Sequence, residues 1–128
     1  MSITKSSEFD QDQVRLAQLA KAMAHPARLN IMEILASKEE CMCGNIANIL
    51  PLAQSTVSQH LKVLKEAGLI EGKISGSTVC YDLNVEVFME CCDLFEAFCI
   101  KMLSGEKCRS MDDERVAEAT EKKLRLSE

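Results

Sequence analysis

Pro51-Leu52-Ala53-Gln54-Ser55-Thr56-Val57-Ser58-Gln59-His60-Leu61-Lys62-Val63-Leu64-Lys65-Glu66-Ala67-Gly68-Leu69-Ile70 decides the fold. Val57, Leu61 and Leu64 recur at i, i+4 and i+7, the spacing of one helix face. The stripe predicts a helix from Gln54 to Ala67, with Gly68 at the left-handed position that closes a helix. Ahead of it, Pro51-Leu52-Ala53 turns the chain, and Ile46, Ile49 and Leu50 predict a short helix over Asn45 to Leu50. A short helix, a tight turn and a second helix make a helix-turn-helix unit, whose second helix enters the major groove of DNA. With the apolar stripe inward, Gln54, Ser55, Thr56, Ser58, Gln59, His60 and Lys62 turn wholly or partly outward. Amides pair bidentately with adenine, and hydroxyls meet a base or a phosphate. Any solvated helix has a polar outer face. It is the combination with the turn, the glycine end and the segment that follows that predicts double-stranded DNA as the partner.

After Gly68 the apolar period changes to two. Leu69 to Ile74 reads as one strand, Ser75-Gly76-Ser77 as a loop, and Thr78 to Leu83 as the return strand with Val79, Tyr81 and Leu83 on one face. Such a hairpin is a wing, with Lys73, Ser75, Ser77 and Thr78 placed to touch the DNA backbone or minor groove. Upstream, Val14, Ala17, Ala20 and Met23, with Leu16 and Leu19, predict a helix from Gln11 to Ala24. His25-Pro26 breaks it and starts a second helix, in which Leu29, Met32 and Leu35 point inward and Ile31 and Ile34 widen the face. Ser37-Lys38-Glu39-Glu40 connects onward. A last helix runs from about Val85 to Leu103 and ends at Ser104-Gly105. The expected fold class is mainly α with a small β-hairpin, a winged helix-turn-helix. Residues 1–10 form a flexible N-terminus, 11–104 the DNA-binding and dimerisation domain, and 105–128 a charged tail.

The chain has 128 residues, long enough for one domain with a core and too short for two. No apolar run approaches the ~20 residues of a membrane span, and the N-terminus lacks the apolar region of a secretory signal. A cytoplasmic protein is therefore expected. The net charge of −5 argues against unspecific coating of nucleic acid. Between Cys41 and Tyr81, however, Lys62, Lys65 and Lys73 stand against Glu66 and Glu71, a slightly basic balance. No Gly-rich phosphate loop and no supported Cys–His nucleophile is present, so an enzyme is not expected.

The segment from Pro51 to Ile70 resembles the recognition segment of the ArsR/SmtB metalloregulatory repressors. So do Ala24-His25-Pro26-Ala27-Arg28-Leu29 and Gly76-Ser77-Thr78-Val79-Cys80-Tyr81-Asp82-Leu83, so that the likeness covers roughly residues 15–100. The resemblance implies a homodimer joined through the first and last helices. It also implies a repressor that leaves its operator when an inducer binds.

Seven cysteines are many for such a chain. In the cytoplasm dense cysteine points to metal binding or redox sensing. Cys41-Met42-Cys43 stands at the mouth of the helix-turn-helix, where a helix N-terminus would favour thiolates. Thiolates select soft ions: trivalent arsenic or antimony takes three sulfurs, whereas zinc, cadmium or lead prefers four ligands. The arsenic repressors carry Glu-x-Cys-x-Cys-Asp at this place. Glu39-Glu40-Cys41-Met42-Cys43-Gly44 matches the glutamate and both cysteines, with Gly44 in place of the aspartate and Asn45 left to cap. Ile46 stands where that pattern can hold a third cysteine, so the third sulfur comes from a small thiol or from another cysteine. Cys91, Cys92, Cys99 and Cys108 are the candidates, and the adjacent pair with a downstream cysteine resembles a second, C-terminal arsenic site of some members. Cys92 and Cys99 lie about 10 Å apart along one helix, so they could share an ion only across a two-fold axis. Cys80 reads as a packed residue, His25 as a helix start and His60 as a surface residue. Zinc-type members use paired Asp and His on the last helix, and this last helix has no His. The expected inducer is arsenite, antimonite or another thiophilic ion, with no organic cofactor. A redox or reactive-sulfur stimulus on the same fold is the alternative.

Overall fold

Helix α1 (Gln11–Met23) begins where the Asp10 carboxylate accepts the Asp12 N–H at 2.8 Å, satisfying one of the open donors of the first turn. Helix α2 (Pro26–Ala36) begins at His25, whose Nδ1 accepts the Ala27 N–H at 3.0 Å, with Pro26 in the first turn as expected. The computed structural model describes residues 8–37, 42–43, 46–105 and 113–126, with 42, 43, 47, 113–117 and 119 described by their backbone. After α2 come strand β1 (Met42–Cys43), helix α3 (Ile46–Ile49), helix α4 (Gln54–Glu66), strands β2 (Ile70–Ser75) and β3 (Thr78–Leu83), helix α5 (Val85–Leu103) and helix α6 (Asp113–Leu126). The elements are those of a mainly helical winged helix-turn-helix. Cys41, Cys108, the Lys38-Glu39-Glu40 part of the connector, Gly44-Asn45 and the first seven residues lie outside the described residues.

The core forms where α1, α2, α4 and the base of the wing meet. Leu19, Ile31, Val57, Leu64, Leu69 and Ile70 are its fully buried side chains. The predicted stripe of α4 is buried throughout: Val57, Leu61 and Leu64 all face inward. In α2 the inward line is Ile31, Met32 and Leu35, whereas Leu29, expected inside, is 48 % exposed. In α1 the buried residues are Leu19 and Ala22, and Ala17 and Ala20 lie open. Both shifts have one cause. In each helix the arc that meets its neighbours is narrower than the broad apolar face its sequence offers.

Gly68 adopts a φ of +85°, as the glycine end of the recognition segment predicted. The Gly68 N–H donates to Lys65 O and the Leu69 N–H to Leu64 O, both at 3.0 Å. This paired pattern closes the helix with an apolar contact between the residues at its two ends, here Leu64 and Leu69. Both leucines are fully buried. The end of α4 is thereby fixed to the start of the wing.

The wing is a hairpin in which Ser75 faces Thr78 across a two-residue loop, Gly76-Ser77, one residue shorter than the predicted loop. Gly76 takes φ +63°, the left-handed conformation that a tight hairpin needs at this position. Thr78 Oγ1 donates to Ser75 O at 2.9 Å and braces the tip. The sequence did not suggest a third strand, yet β1 pairs antiparallel with β3, giving the sheet order β1-β3-β2. Met42 and Cys43 are thus strand residues rather than the first residues of a helix. A two-residue strand carries no period to recognise, and only the exposed edge of β3 makes it one.

By internal contacts the chain divides into two compact units, Met1–Cys92 and Asp93–Glu128, and α5 contributes to both. In the second unit the charged tail is helical over Asp113–Leu126, with Arg125 paired to Glu121 one turn away at 2.9 Å. Among the described residues no helix is long and apolar enough to cross a membrane.

Gly68→Ala should lower stability by about 1–2 kcal/mol, because the left-handed backbone penalises a Cβ. Steric crowding adds nothing, since the new Cβ would meet Val87 methyls at 3.7 and 3.9 Å, ordinary contact distances. A thermal midpoint several degrees lower in calorimetry checks this, and an unchanged midpoint would contradict the role given to Gly68.

Candidate nucleic-acid interface and metal centre

Once α4 buries its stripe, its remaining side chains have no place but the surface. Gln54, Ser55, Thr56, Ser58, Gln59 and Lys62 are exposed, and so are Lys73, Ser75, Ser77 and Thr78 on the wing. One polar helix face and one polar hairpin therefore lie in the same unit, joined through Gly68. They offer amide, hydroxyl and ammonium groups and no carboxylate at the first two turns of α4. That donor-rich set suits base edges and phosphate oxygens.

His60 departs from its expected surface position. It is 9 % exposed and turns inward, because it follows Val57 by three residues and precedes Leu64 by four, which puts it beside the apolar stripe. Its ring packs on His25, with centroids 4.4 Å apart and planes tilted by 45°. Its Nδ1 lies 3.3 Å from Arg28 Nη1, which donates to it when the ring is neutral. Arg28 also donates through Nε to Ala22 O at 2.6 Å and through Nη2 to Lys21 O at 3.4 Å. A cation thus sits on the open carbonyls at the end of α1, where the helix dipole favours it. Arg28 and His60 together tie α1, α2 and α4 into one frame. By its own residues, apart from the family likeness, Ala24-His25-Pro26-Ala27-Arg28-Leu29 reads as a helix start. A polar joint of this kind becomes visible only when residues 25, 28 and 60 are brought together.

The cysteines fall into two groups. Cys91, Cys92 and Cys99 on α5 are free thiols that are buried, exposed and half-buried in turn. Burial pushes the Cys91 thiol up, Cys92 and Glu90 add to the shift, and Arg15 opposes it. Arg15 on α1 forms an ion pair with Glu90, tying the first helix to the start of the last. Cys91 is thus a poor thiolate and fits packing better than ligation. Among the described residues no group of three His, Cys, Asp or Glu side chains could hold a metal ion.

The second group is placed by the sheet. Cys43 in β1 is the direct partner of Cys80 in β3, as Met42 is of Tyr81. Cys80 is 4 % exposed and disulfide-bonded. Cys43 lies in β1, paired in the sheet ahead of α3, and not in the first turn of a helix.

Residues 23–73 match the model of a helix-turn-helix domain family. The chain is 30 % identical over 84 residues to the HTH-type transcriptional regulator YgaV of Escherichia coli (strain K12), covering 66 % of this chain and 85 % of that protein. It is 40 % identical over 70 residues to the arsenical resistance operon repressor of Bacillus subtilis (strain 168), covering 54 % of this chain and 66 % of the repressor. A crystal structure described as a possible transcriptional regulator for arsenical resistance superposes with a TM-score of 0.55 at 34 % identity, covering 63 % of this chain and 82 % of that one. The chain spans about half (48 %) of the length of the SmtB repressors of Mycobacterium tuberculosis that it also matches.

The Arg28–His60 joint should make stability depend on pH. Burial lowers the pKa of His60 below its usual 6.5, and the charges of His25 and Arg28 lower it further. The unfolded chain then binds the proton more readily than the folded one, so stability is complete above about pH 6.5 and falls as pH drops toward the lowered folded value. Thermal midpoints measured between pH 7.5 and 5.5 should fall more steeply for the native chain than for His60→Gln. Equal slopes would remove His60 as the cause.

Proposed function

Because the chain belongs to the ArsR/SmtB family of helix-turn-helix transcriptional regulators, we propose that it is an operator-bound repressor. It releases DNA when Cys41 and Cys43 capture arsenite, antimonite or another thiophilic ion. The observation that carries this reading is the position of Cys43. It lies on a strand directly before α3 and paired to the wing, so an ion bound there acts on both DNA-contacting elements. The relatives named for arsenical resistance support the choice of a metalloid.

Gln54, Ser55, Thr56, Ser58, Gln59 and Lys62 read the major groove, and Lys73, Ser75 and Ser77 hold the flanking backbone. His60 is withdrawn from this set, because its ring is committed to Arg28 and His25. The operator is read by a homodimer. Val85, Phe88, Met89, Phe95, Phe98, Ile100 and Met102 leave α5 apolar and open in the single chain, and Ala17 and Ala20 do the same on α1. A second copy covering these faces would set the two recognition helices about 34 Å apart, the spacing of successive major grooves. Capture of the ion re-sets that spacing, so ion and operator oppose each other with a coupling of about 1–3 kcal/mol. Cys92 and Cys99 could serve a second site only if a partner copy brings them together. Such a sensor works in a reducing, cytoplasmic setting. The disulfide at Cys80 favours one second reading, in which oxidation rather than an ion triggers release.

Fluorescence anisotropy on the DNA upstream of the gene tests the operator face. Gln59→Ala should weaken binding by about 1–3 kcal/mol and relax preference at one base position. Lys73→Ala should weaken all sequences alike and lower the salt slope by about one. Full affinity in both variants would refute this face.

Arsenite titrated into the repressor–DNA complex tests the inducer. The native chain should dissociate, and Cys41→Ser and Cys43→Ser should stay bound at the same dose. Release of either variant at the native dose would sink the proposal. Reversal by a dithiol chelator, with no effect of a phosphine reductant, would separate capture of an ion from oxidation.

A further inference from the structure

We propose that Asn84 is a positioning residue for operator recognition, because it fastens the start of α5 both to the end of the recognition helix and to the wing. The inference rests on the reading of α4 and the wing as the DNA-contacting elements and of α5 as part of the dimer face. Asn84 is the single residue between β3 and α5. Its N–H donates to Leu69 O at 2.9 Å, and its own C=O accepts the Phe88 N–H at 3.0 Å. The N–H of the same Leu69 donates to Leu64 O, the bond that closes α4. Leu69, fully buried, is thus bonded to the recognition helix on one side and to the start of α5 on the other.

The side chain adds two contacts of opposite polarity. Asn84 Oδ1 accepts the Val87 N–H at 3.3 Å, satisfying an open donor in the first turn of α5. Asn84 Nδ2 donates to Glu71 Oε1 on β2, also at 3.3 Å. A carboxamide meets both demands at once, because the N–H needs an acceptor and the carboxylate needs a donor. Aspartate caps a helix equally well, but here it would set a second carboxylate against Glu71. The capped turn also covers the closure of α4, since Val87 stands over Gly68. Val85, Phe88 and Met89, the first open apolar residues of α5, follow Asn84 within five positions. The angle between the proposed dimer face and the recognition helix is therefore set across one residue. In a two-fold dimer any tilt at this joint occurs twice, so it acts on the spacing of the two recognition helices.

Anisotropy with the full-length protein on two DNAs tests this. One is the DNA upstream of the gene. The other carries one extra base pair between the half-sites, which moves one of them by about 3.4 Å along the axis. The readout is the ratio of the two affinities, which a general loss of folded protein leaves unchanged. The native protein should prefer the natural spacing. Asn84→Asp should lower that preference by about three- to tenfold, the range of one lost hydrogen bond. Glu71→Gln keeps an acceptor for Asn84 Nδ2 and should keep the native ratio. Joining Asn84→Asp to Glu71→Gln exchanges donor and acceptor, and should restore the ratio. Should Asn84→Asp fail to fold, Glu71→Ala removes the acceptor, leaves the cap and should lower the ratio in its place. A native ratio in Asn84→Asp or Glu71→Ala, or no recovery in the double variant, would overturn the role of Asn84 and leave the DNA-reading face intact. A native protein that binds both DNAs alike would overturn the reading of a dimer spanning two half-sites, and the role of Asn84 with it.

Discussion

One cylinder of thirteen residues, α4, has to satisfy two opposed demands. Val57, Leu61 and Leu64 must leave water for the structure to hold, and Gln54, Ser55, Thr56, Ser58, Gln59 and Lys62, the face proposed to read DNA, must stay in it. Burying each large aliphatic side chain contributes about 1.5–3 kcal/mol, so the rotation of the helix about its axis is fixed by the core and not by the surface. Rotation alone does not fix its ends. The Leu64–Gly68–Leu69 closure holds one end against the wing, and the Arg28–His60 contact holds the middle against α1 and α2. With rotation and position both set, the polar face is presented at one angle. That rigidity is what a protein reading base edges needs, because a hydrogen bond weakens steeply with misalignment.

The parts of this fold legible in the sequence were those written with a period. The apolar stripe of α4, the alternation of Val79, Tyr81 and Leu83, and the two glycines with positive φ each carry a local signal. The structure places α4, β3 and the Gly68 closure where that signal pointed, although on β3 the buried residue is Cys80, on the face opposite Val79, Tyr81 and Leu83. The misreadings have a common origin in contacts between distant residues. Leu29 is apolar and helical but faces outward, because nothing in one helix says which part of its apolar arc will meet a neighbour. His60 is polar and sits in a polar run, yet a guanidinium thirty-two positions upstream gives it a partner and an inward place. Strand β1 is shorter than any period and exists only through β3. The Cys41-Met42-Cys43 segment was legible as soft-ligand chemistry and not as geometry: only the ladder shows that the backbone of Cys43 stands opposite Cys80.

The acidic balance of the chain does not oppose DNA binding, since fields at a contact are local. Charges beyond about 8–10 Å are largely screened at physiological ionic strength. Glu8, Asp10, Asp12, Glu86 and Glu90 lie on α1 and α5 or at their edges, while Lys62 and Lys73 lie on the polar face and wing. A repressor built this way gains little from phosphate attraction at long range and depends more on correctly placed donors. Weak unspecific affinity also makes release easier, because a modest misplacement of α4 leaves little electrostatic hold to overcome.

A sensing site can govern DNA binding only if some continuous element changes with it. The backbone here provides a short one. Cys43 in β1 is paired to β3, β3 to β2, and β2 follows α4 after only Ala67, Gly68 and Leu69. On the other side β1 lies two residues before α3, which leads through Pro51-Leu52-Ala53 back into α4. The thiol segment therefore closes a ring whose other members are the turn, the recognition helix and the wing. A ring transmits a change that an open chain would absorb, because no member can shift without displacing its neighbours. On the proposed reading, an ion held at β1 would pull on one link of that ring, and the recognition helix, held at both ends by other links, would have to move or the ion would have to leave. Under that proposal, opposition between inducer and operator would follow from this closure, without a separate pathway between remote sites.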